Sequence, residues 1–170
     1  VNGASGSLGT AAVQLAKYLG AEVTAVCSFG NFDLVRSLGA DHVLDHTRID
    51  FTKTGDSYDI IFDTVGKSPF PECKKVLSGN GIYLSPVLSM SLLFQMLWTS
   101  KFGRKKAMFS ATGLLAVPKL RTMLIELINL LELGKLKMVL DKRYSLHEVG
   151  KAHSYVDTGR KKGNVVVILD

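Results

Sequence analysis

Apolar and polar positions along this chain switch repeatedly between two periods, and the switches mark out alternating strands and helices. Residues 10–21 (TAAVQLAKYLGA) place Ala12, Leu15, Ala16 and Leu19 at helical spacing, with Gly20 as the stop. The stretch 22–27 (EVTAVC) is short, β-branched and apolar, the composition of a strand buried in a parallel sheet. The alternation then repeats. Residues 31–38 (NFDLVRSL) predict a helix capped by Asn31 and ended by Gly39, and 42–45 a brief strand. Residues 58–64 (YDIIFDT) predict the next strand, ending in Val65 and Gly66. A helix over 71–77 has proline near its first turn, a turn over 78–81 (SGNG) follows, and strands over 82–87 and 106–111 come next.

Residues 117–133 predict a long amphipathic helix whose inner face carries Leu120, Met123, Leu124, Leu127, Ile128, Leu130 and Leu131, with Gly134 ending it. Strands alternating with helices at this spacing indicate βαβ units, hence an α/β fold with a doubly wound parallel sheet. The pattern changes after residue 136. An extended 138–144, a helix over 147–156, a basic turn and a strand over 164–169 set 137–170 apart from 1–136. Only Val1 and Asn2 stand where a first, central strand should precede the turn at Gly3.

That turn, GASGSLG, is the most informative segment. Gly3, Gly6 and Gly9 recur at three-residue spacing between a strand end and a helix start, a relative of the dinucleotide fingerprint. Gly6 lacks the Cβ that would block a pyrophosphate, and Gly9 lets the helix sit close to the strand. Free amides of Ser7, Leu8 and their neighbours, at the positive end of the helix dipole, would hold a diphosphate without a lysine. At the end of the second strand, a carboxylate would select NAD through the ribose hydroxyls. Cys27 and Ser28 stand there instead, which favours NADP and leaves NAD as the alternative.

Composition narrows the function classes. With 170 residues and 46% hydrophobic content, the chain can enclose one sizeable core. Cys27 and Cys73 are too far apart for a CxxC pair, so neither a disulfide framework nor a thiolate zinc site is indicated, and a reducing, cytoplasmic setting is expected. The chain opens inside a motif and no signal peptide is read. The net charge of +6 gathers in 101–106 (KFGRKK) and 159–163 (GRKKG). Such clusters attract nucleic acid, anionic lipid or a phosphorylated cofactor, but without interleaved aromatic residues they read as solvated surface, and no nucleic-acid partner is expected. The apolar run 87–98 spans twelve residues, against about twenty for a membrane crossing; it reads as a buried helix or a subunit contact. Among His42, His46, His147 and His153 there is no helical zinc motif, so no metal is expected. Asp59 and Asp63, flanking a buried strand, read as backbone-bonding carboxylates.

In order along the chain, GASGSLG, AVQLAKYLGAEVTAVCS, SLGADHVLDH, YDIIFDTVG, GKLK, RYSLHEVGKAHSYVDTG and KKGNVVVIL resemble the medium-chain dehydrogenase/reductase superfamily, in its zinc-free quinone oxidoreductase branch of zeta-crystallin-like proteins. The resemblance covers nearly the whole chain. It implies a Rossmann-type NAD(P)-binding domain over 1–136 and, over 137–170, a segment that returns to an N-terminal GroES-like catalytic domain absent from this sequence. It implies hydride transfer from NAD(P)H to a quinone or enone, with the fragment alone competent at most for cofactor binding. Zinc-dependent alcohol dehydrogenation, through ligands in the absent domain, and a non-catalytic nucleotide-binding module are the alternatives.

Matched motif to motif, the resemblance puts the pyrophosphate on Ser5, Gly6, Ser7 and Leu8, and the adenosine ribose or its 2′-phosphate at Ser28, Asn31 and His46. Val65 and Gly66 would flank the middle of the cofactor. Pro86, Val87 and Leu88 would approach the nicotinamide ribose, and Ser110, Ala111 and Thr112 its carboxamide. Catalytic residues are not assigned. Two departures stand out: Phe29 and Gly30 occupy the loop where the family often carries a basic residue, and the apolar stretch before Lys101 is longer than usual. A homodimer is expected, paired through an edge strand at 106–111.

Overall fold

Val1 and Asn2 join two groups of parallel strands into one sheet. In the computed structural model, which describes residues 1–110, 113 and 115–169, Val26 N donates to Val1 O at 2.9 Å and Asn2 N to Phe62 O at 2.9 Å. Asn2 thereby bridges Val26 of β1 (Thr24–Cys27) and Asp63, just past β3 (Tyr58–Phe62), in parallel sense. Outward from this seam lie β2 (His42–Asp45) beside β1, and β4 (Leu77–Ser85) then β5 (Lys106–Phe109) beside β3, all parallel. The order β2, β1, seam, β3, β4, β5 changes direction at the glycine turn. This is a Rossmann-type doubly wound sheet, with Val1 and Asn2 at its central position.

Side-chain alternation gives the sheet two cores. Ala25 and Cys27 point to one face, against Val13 of α1 (Ser7–Tyr18) and Val35 of α2 (Phe32–Ser37). Val26, Ile61, Tyr83 and Ala107 point to the other, against Phe70, Cys73 and Val76 of α3 (Phe70–Val76) and Leu92 of α4 (Met90–Lys101). A cleft of about 850 Å³ beside Val1 is lined by Ala12, Ala16 and Leu19 of α1 with Thr24, Tyr58 and Ile60. The helical stripe legible in the sequence therefore faces this slot, while the buried side of α1 is Gly9, Thr10, Val13 and Gln14.

Several expectations are corrected. Residues 78–81 are not a free turn but part of β4, where the register slips so that Tyr58 pairs Leu77 and Ile60 pairs Ile82; the bulge absorbs the glycines without breaking the strand. Of the two readings of 87–98, the buried helix fails: in α4 only Leu92 and Thr99 are buried, whereas Met90, Phe94, Leu97 and Trp98 are exposed. No residue of α5 (Val117–Glu132) is fully buried: on its predicted inner face Leu120, Leu127, Leu130 and Leu131 are half-buried, and Leu124 and Ile128 are exposed. Among the described residues no helix is long and apolar enough to cross a membrane.

The C-terminal segment forms a separate two-stranded parallel sheet, β6 (Leu140–Ser145) with β7 (Asn164–Ile168), linked through α6 (Val149–Asp157). Buried Gln14 pins its start. Its amide donates to Lys137 O at 3.0 Å and accepts from Lys137 N at 2.8 Å.

Candidate dinucleotide site

Every strand of the main sheet runs the same way, so their C-terminal ends share one edge, and at that edge the turn at Gly3 reverses the winding. Such a switch point leaves a crevice that adjacent loops cannot close. Gly3 adopts φ +76°, a conformation glycine accepts freely, and an added Cβ would strike Val65 Cγ2 at 2.6 Å. At Gly9 an added Cβ would lie 2.6 Å from Ala4 Cα and 2.7 Å from Ala4 C, so α1 rests directly on the backbone of the turn. Gly6 differs. A Cβ there would meet only the Gly3 carbonyl, at an ordinary 3.5 Å, and the space above it is open. Gly6 is the N-cap of α1, with Ser7, Leu8 and Gly9 forming the first turn behind it. The turn thus offers the glycine cradle and helix amides that a diphosphate requires.

The loop after β1 is tied to this turn. Asn31 stands at the N-cap of α2, as expected, but its side chain makes no capping bond; Nδ2 donates instead to Ser5 Oγ at 3.0 Å. Ser28 Oγ and His46 Nε2 lie 3.0 Å apart, joining the ends of β1 and β2. The neighbouring carboxylate, Asp45, is buried and folded onto Thr47, accepting from its amide at 2.9 Å and its hydroxyl at 2.7 Å. These bonds hold its pKa below the usual carboxylate value. Burial and then the Asp45 charge push the Cys27 thiol up to about 11, so it stays a neutral packing group at the strand end.

On the other side, Asp63 organises the loop after β3. Fully buried, it accepts at Oδ1 from Asn2 Nδ2 (2.9 Å), Val65 N (3.1 Å) and Gly66 N (3.0 Å), and at Oδ2 from Ser68 N (2.9 Å) and the Tyr83 hydroxyl (3.2 Å). The expectation of a backbone-bonding carboxylate holds for Asp63; Asp59 instead accepts from the Ser78 hydroxyl at 2.7 Å. Gly66, at φ +72°, stands against Val87, where a Cβ would come within 2.6 Å. Val87 N donates to Ser85 Oγ at 3.2 Å, and Pro86, Val87 and Leu88 follow β4 at the same edge. Ser110 N donates to Ser85 O at 2.9 Å, placing Ser110 beside them. Ala111 and Thr112 lie outside the described residues.

One contributor was set aside at the level of sequence. The basic cluster 159–163, read as solvated surface, folds back onto the glycine turn: Gly163 N donates to Ser5 O at 2.8 Å, and the Ser7 hydroxyl donates to Gly163 O at 2.8 Å. Lys161 Nζ reaches Ser7 Oγ at 2.6 Å, and burial lowers its pKa. Lys162 Nζ reaches Gly30 O at 3.3 Å. The hydroxyl of Ser7 is thus engaged by the protein itself. Only the parallel pairing of β6 with β7 carries the cluster here, and no local motif encodes that. Among the described residues no group of three His, Cys, Asp or Glu is placed to hold a metal ion.

A switch point with a glycine cradle defines a Rossmann-type fold of the dinucleotide-binding kind. A family model described as zinc-binding dehydrogenase matches residues 38–167, and the chain belongs to that family, as a quinone-oxidoreductase-like part of the medium-chain dehydrogenase/reductase superfamily. It is 33% identical over 171 residues to the chloroplastic quinone-oxidoreductase QR1 of Triphysaria versicolor, covering 98% of this chain and 51% of that protein. It is 30% identical over 185 residues to the trans-enoyl reductase pgmF of Aspergillus terreus, covering 100% and 51%. The chain therefore spans about half the length of these relatives. The fold matches the quinone oxidoreductase of Escherichia coli complexed with NADPH at a TM-score of 0.78 and 19% identity, covering 98% of this chain and 55% of that one.

Proposed function

We propose that the chain is the dinucleotide-binding part of an NAD(P)H-dependent oxidoreductase that passes hydride to a quinone or enone-type acceptor. The observation that carries this reading is the open space above Gly6 at the switch point of the sheet, bounded by Gly3, Gly9 and the first turn of α1. The relatives named for quinone and enoyl reduction support the substrate class.

When bound, the nicotinamide cofactor supplies the hydride chemistry. The residues of this chain bind and orient it. The first-turn amides of α1 face the pyrophosphate, Ser28, Asn31 and His46 surround the adenosine ribose, and Val65 and Gly66, held by Asp63, flank the middle. Pro86, Val87, Leu88 and Ser110 limit the nicotinamide end. Groups that polarise the acceptor oxygen come chiefly from a GroES-like catalytic domain, to which 137–170 returns, without zinc. NADP is the preferred cofactor, because β1 ends in Cys27 and Ser28 and no carboxylate faces the ribose. β5, at the outer edge of the sheet beside the exposed apolar side of α4, is the surface through which two copies pair.

The test is thermal stabilisation by NADPH in the wild type and in Gly6→Val. At φ −81° and with a free Cβ position, valine leaves the fold intact while filling the cradle. Stabilisation in the wild type and its loss in the variant are expected; equal stabilisation in both refutes the reading.

A further inference from the structure

We propose that Lys162 is the specificity-determining residue for NADPH, delivering from the C-terminal turn the positive charge that grips the 2′-phosphate of the adenosine ribose. The inference rests on the dinucleotide reading above and names a residue for a role that the loop after β1 leaves unfilled. That loop, Ser28 to Asn31, contains no cation, and Gly30 exposes bare backbone where a side chain would otherwise project.

The structure fills the gap from the far end of the chain. The turn between Gly159 and Gly163, both at φ +68°, is locked from two sides. Lys162 N donates to Asp141 Oδ2 at 2.9 Å, an oxygen that also accepts from the Tyr155 hydroxyl at 2.7 Å. Gly163 N donates to Ser5 O at 2.8 Å. With the backbone fixed at adjacent residues, the two lysines diverge. Lys161 turns to Ser7 on the diphosphate cradle, and Lys162 turns to Gly30 on the adenosine loop.

The Lys162 ammonium rests at 3.3 Å on a neutral carbonyl oxygen, a weak partner that an incoming phosphate dianion readily replaces. The loop that it reaches begins at Ser28, whose hydroxyl meets His46, and ends at Asn31, tied to Ser5. Asp45, the acid at the end of β2, is buried on the Thr47 amide and hydroxyl, with the Arg48 guanidinium 3.9 Å from it. Lysine presents a compact point charge on a flexible stem, suited to a terminal phosphate. Lys161, partly desolvated on Ser7, sits over the pyrophosphate that both cofactors share and cannot discriminate between them.

Calorimetric titration of the full chain with NADPH, NADH, 2′,5′-ADP and 5′-AMP tests the assignment. Lys162→Ala is expected to weaken NADPH and 2′,5′-ADP about tenfold, the scale of one charge-assisted contact, and to leave NADH and 5′-AMP within about twofold of wild type. Lys162→Arg retains the preference, and Lys161→Ala weakens NADPH and NADH alike. An equal loss for both cofactors in Lys162→Ala, or none for either, overturns the proposal, as does a discrimination that vanishes in Lys161→Ala instead. Gly6→Val separates this failure from that of the parent reading: if it binds both cofactors like the wild type, the dinucleotide site itself is wrong.

Discussion

Asp63→Ala removes the acceptor shared by five donors, those of Asn2, Val65, Gly66, Ser68 and Tyr83. Two of these have a second acceptor close by: Asn2 Nδ2 lies 3.1 Å from Ser68 Oγ, and the Tyr83 hydroxyl lies 3.0 Å from Ser68 O. Three backbone amides lose their partner, and Val65 and Gly66 are exposed enough for water to reach them. A stranded buried donor costs about 1–3 kcal/mol; with water relieving part of the loss, the alanine variant should lose about 3–5 kcal/mol. Asp63→Asn should lose less, about 1–2 kcal/mol. Its carbonyl keeps the three donors at Oδ1, and the Tyr83 hydroxyl can accept from the new amide while donating to Ser68 O, so Ser68 N alone faces a donor. Urea unfolding at neutral pH reads both values from the midpoint at unchanged slope. An alanine variant within about 1 kcal/mol of wild type, or an asparagine variant as unstable as alanine, would refute the account of Asp63 as a saturated acceptor.

Other consequences can be measured on the same material. Gly9→Ala forces a methyl against the backbone of Ala4 and should destabilise by about 1–3 kcal/mol, whereas Gly6→Ala, with open space, should leave the unfolding midpoint nearly unchanged; the reverse order would refute the packing of the turn. Cys27 and Cys73 are buried, with pKa values pushed up to about 11 and about 12 chiefly by desolvation. Because both values are raised, their contribution to stability is whole below the unfolded thiol value of about 8.5 and is lost as pH rises through the folded values. Neither thiol should react with an alkylating agent at pH 8 until the chain unfolds, and rapid labelling of native protein would contradict that. Pairing through β5 predicts a dimer in light scattering that Met108→Lys, at an exposed position of the edge strand, converts to monomer; a wild-type monomer at high concentration would refute it.

The parallel order, the glycine turn and the ends of the strands were legible because each depends on neighbours in sequence. Gly3, Gly6 and Gly9 announce a backbone conformation and a close approach, and the β-branched run before Cys27 announces burial. What was not legible depends on packing. The stripe Ala12, Ala16 and Leu19 is helical in period, but the period does not say which face meets the sheet, and here that face borders the slot beside Val1. The apolar run of α4 left burial and subunit contact both open, and that of α5 was read as an inner face, because hydrophobicity alone does not tell a core from an unpartnered surface. Asn31 holds the cap position of α2 that its residue type announces, but its side chain bonds Ser5 across the turn, a partner no local window shows. Lys161 and Lys162 reach the first glycine turn across most of the chain, a placement set by β6 and β7 and invisible to any local window.

That last placement changes how the candidate site is to be understood. A dinucleotide crevice built by one βαβ unit would depend only on the strands that form it, but here the C-terminal segment touches the cradle at Ser5 and Ser7 and is itself pinned to the far side of α1 through Gln14 and Lys137. Helix α1 is therefore held at two points by residues that belong to the other sheet. Any shift of β6 and β7 relative to the main sheet must move Lys161, Lys162 and Gly163 against the turn. A ligand that engages both the α1 amides and the lysines binds tightly in one relative arrangement of the two sheets and less well in others, and by reciprocity its binding favours that arrangement. The C-terminal segment is in this sense one wall of the nucleotide pocket, supplying charge that the adenosine loop lacks.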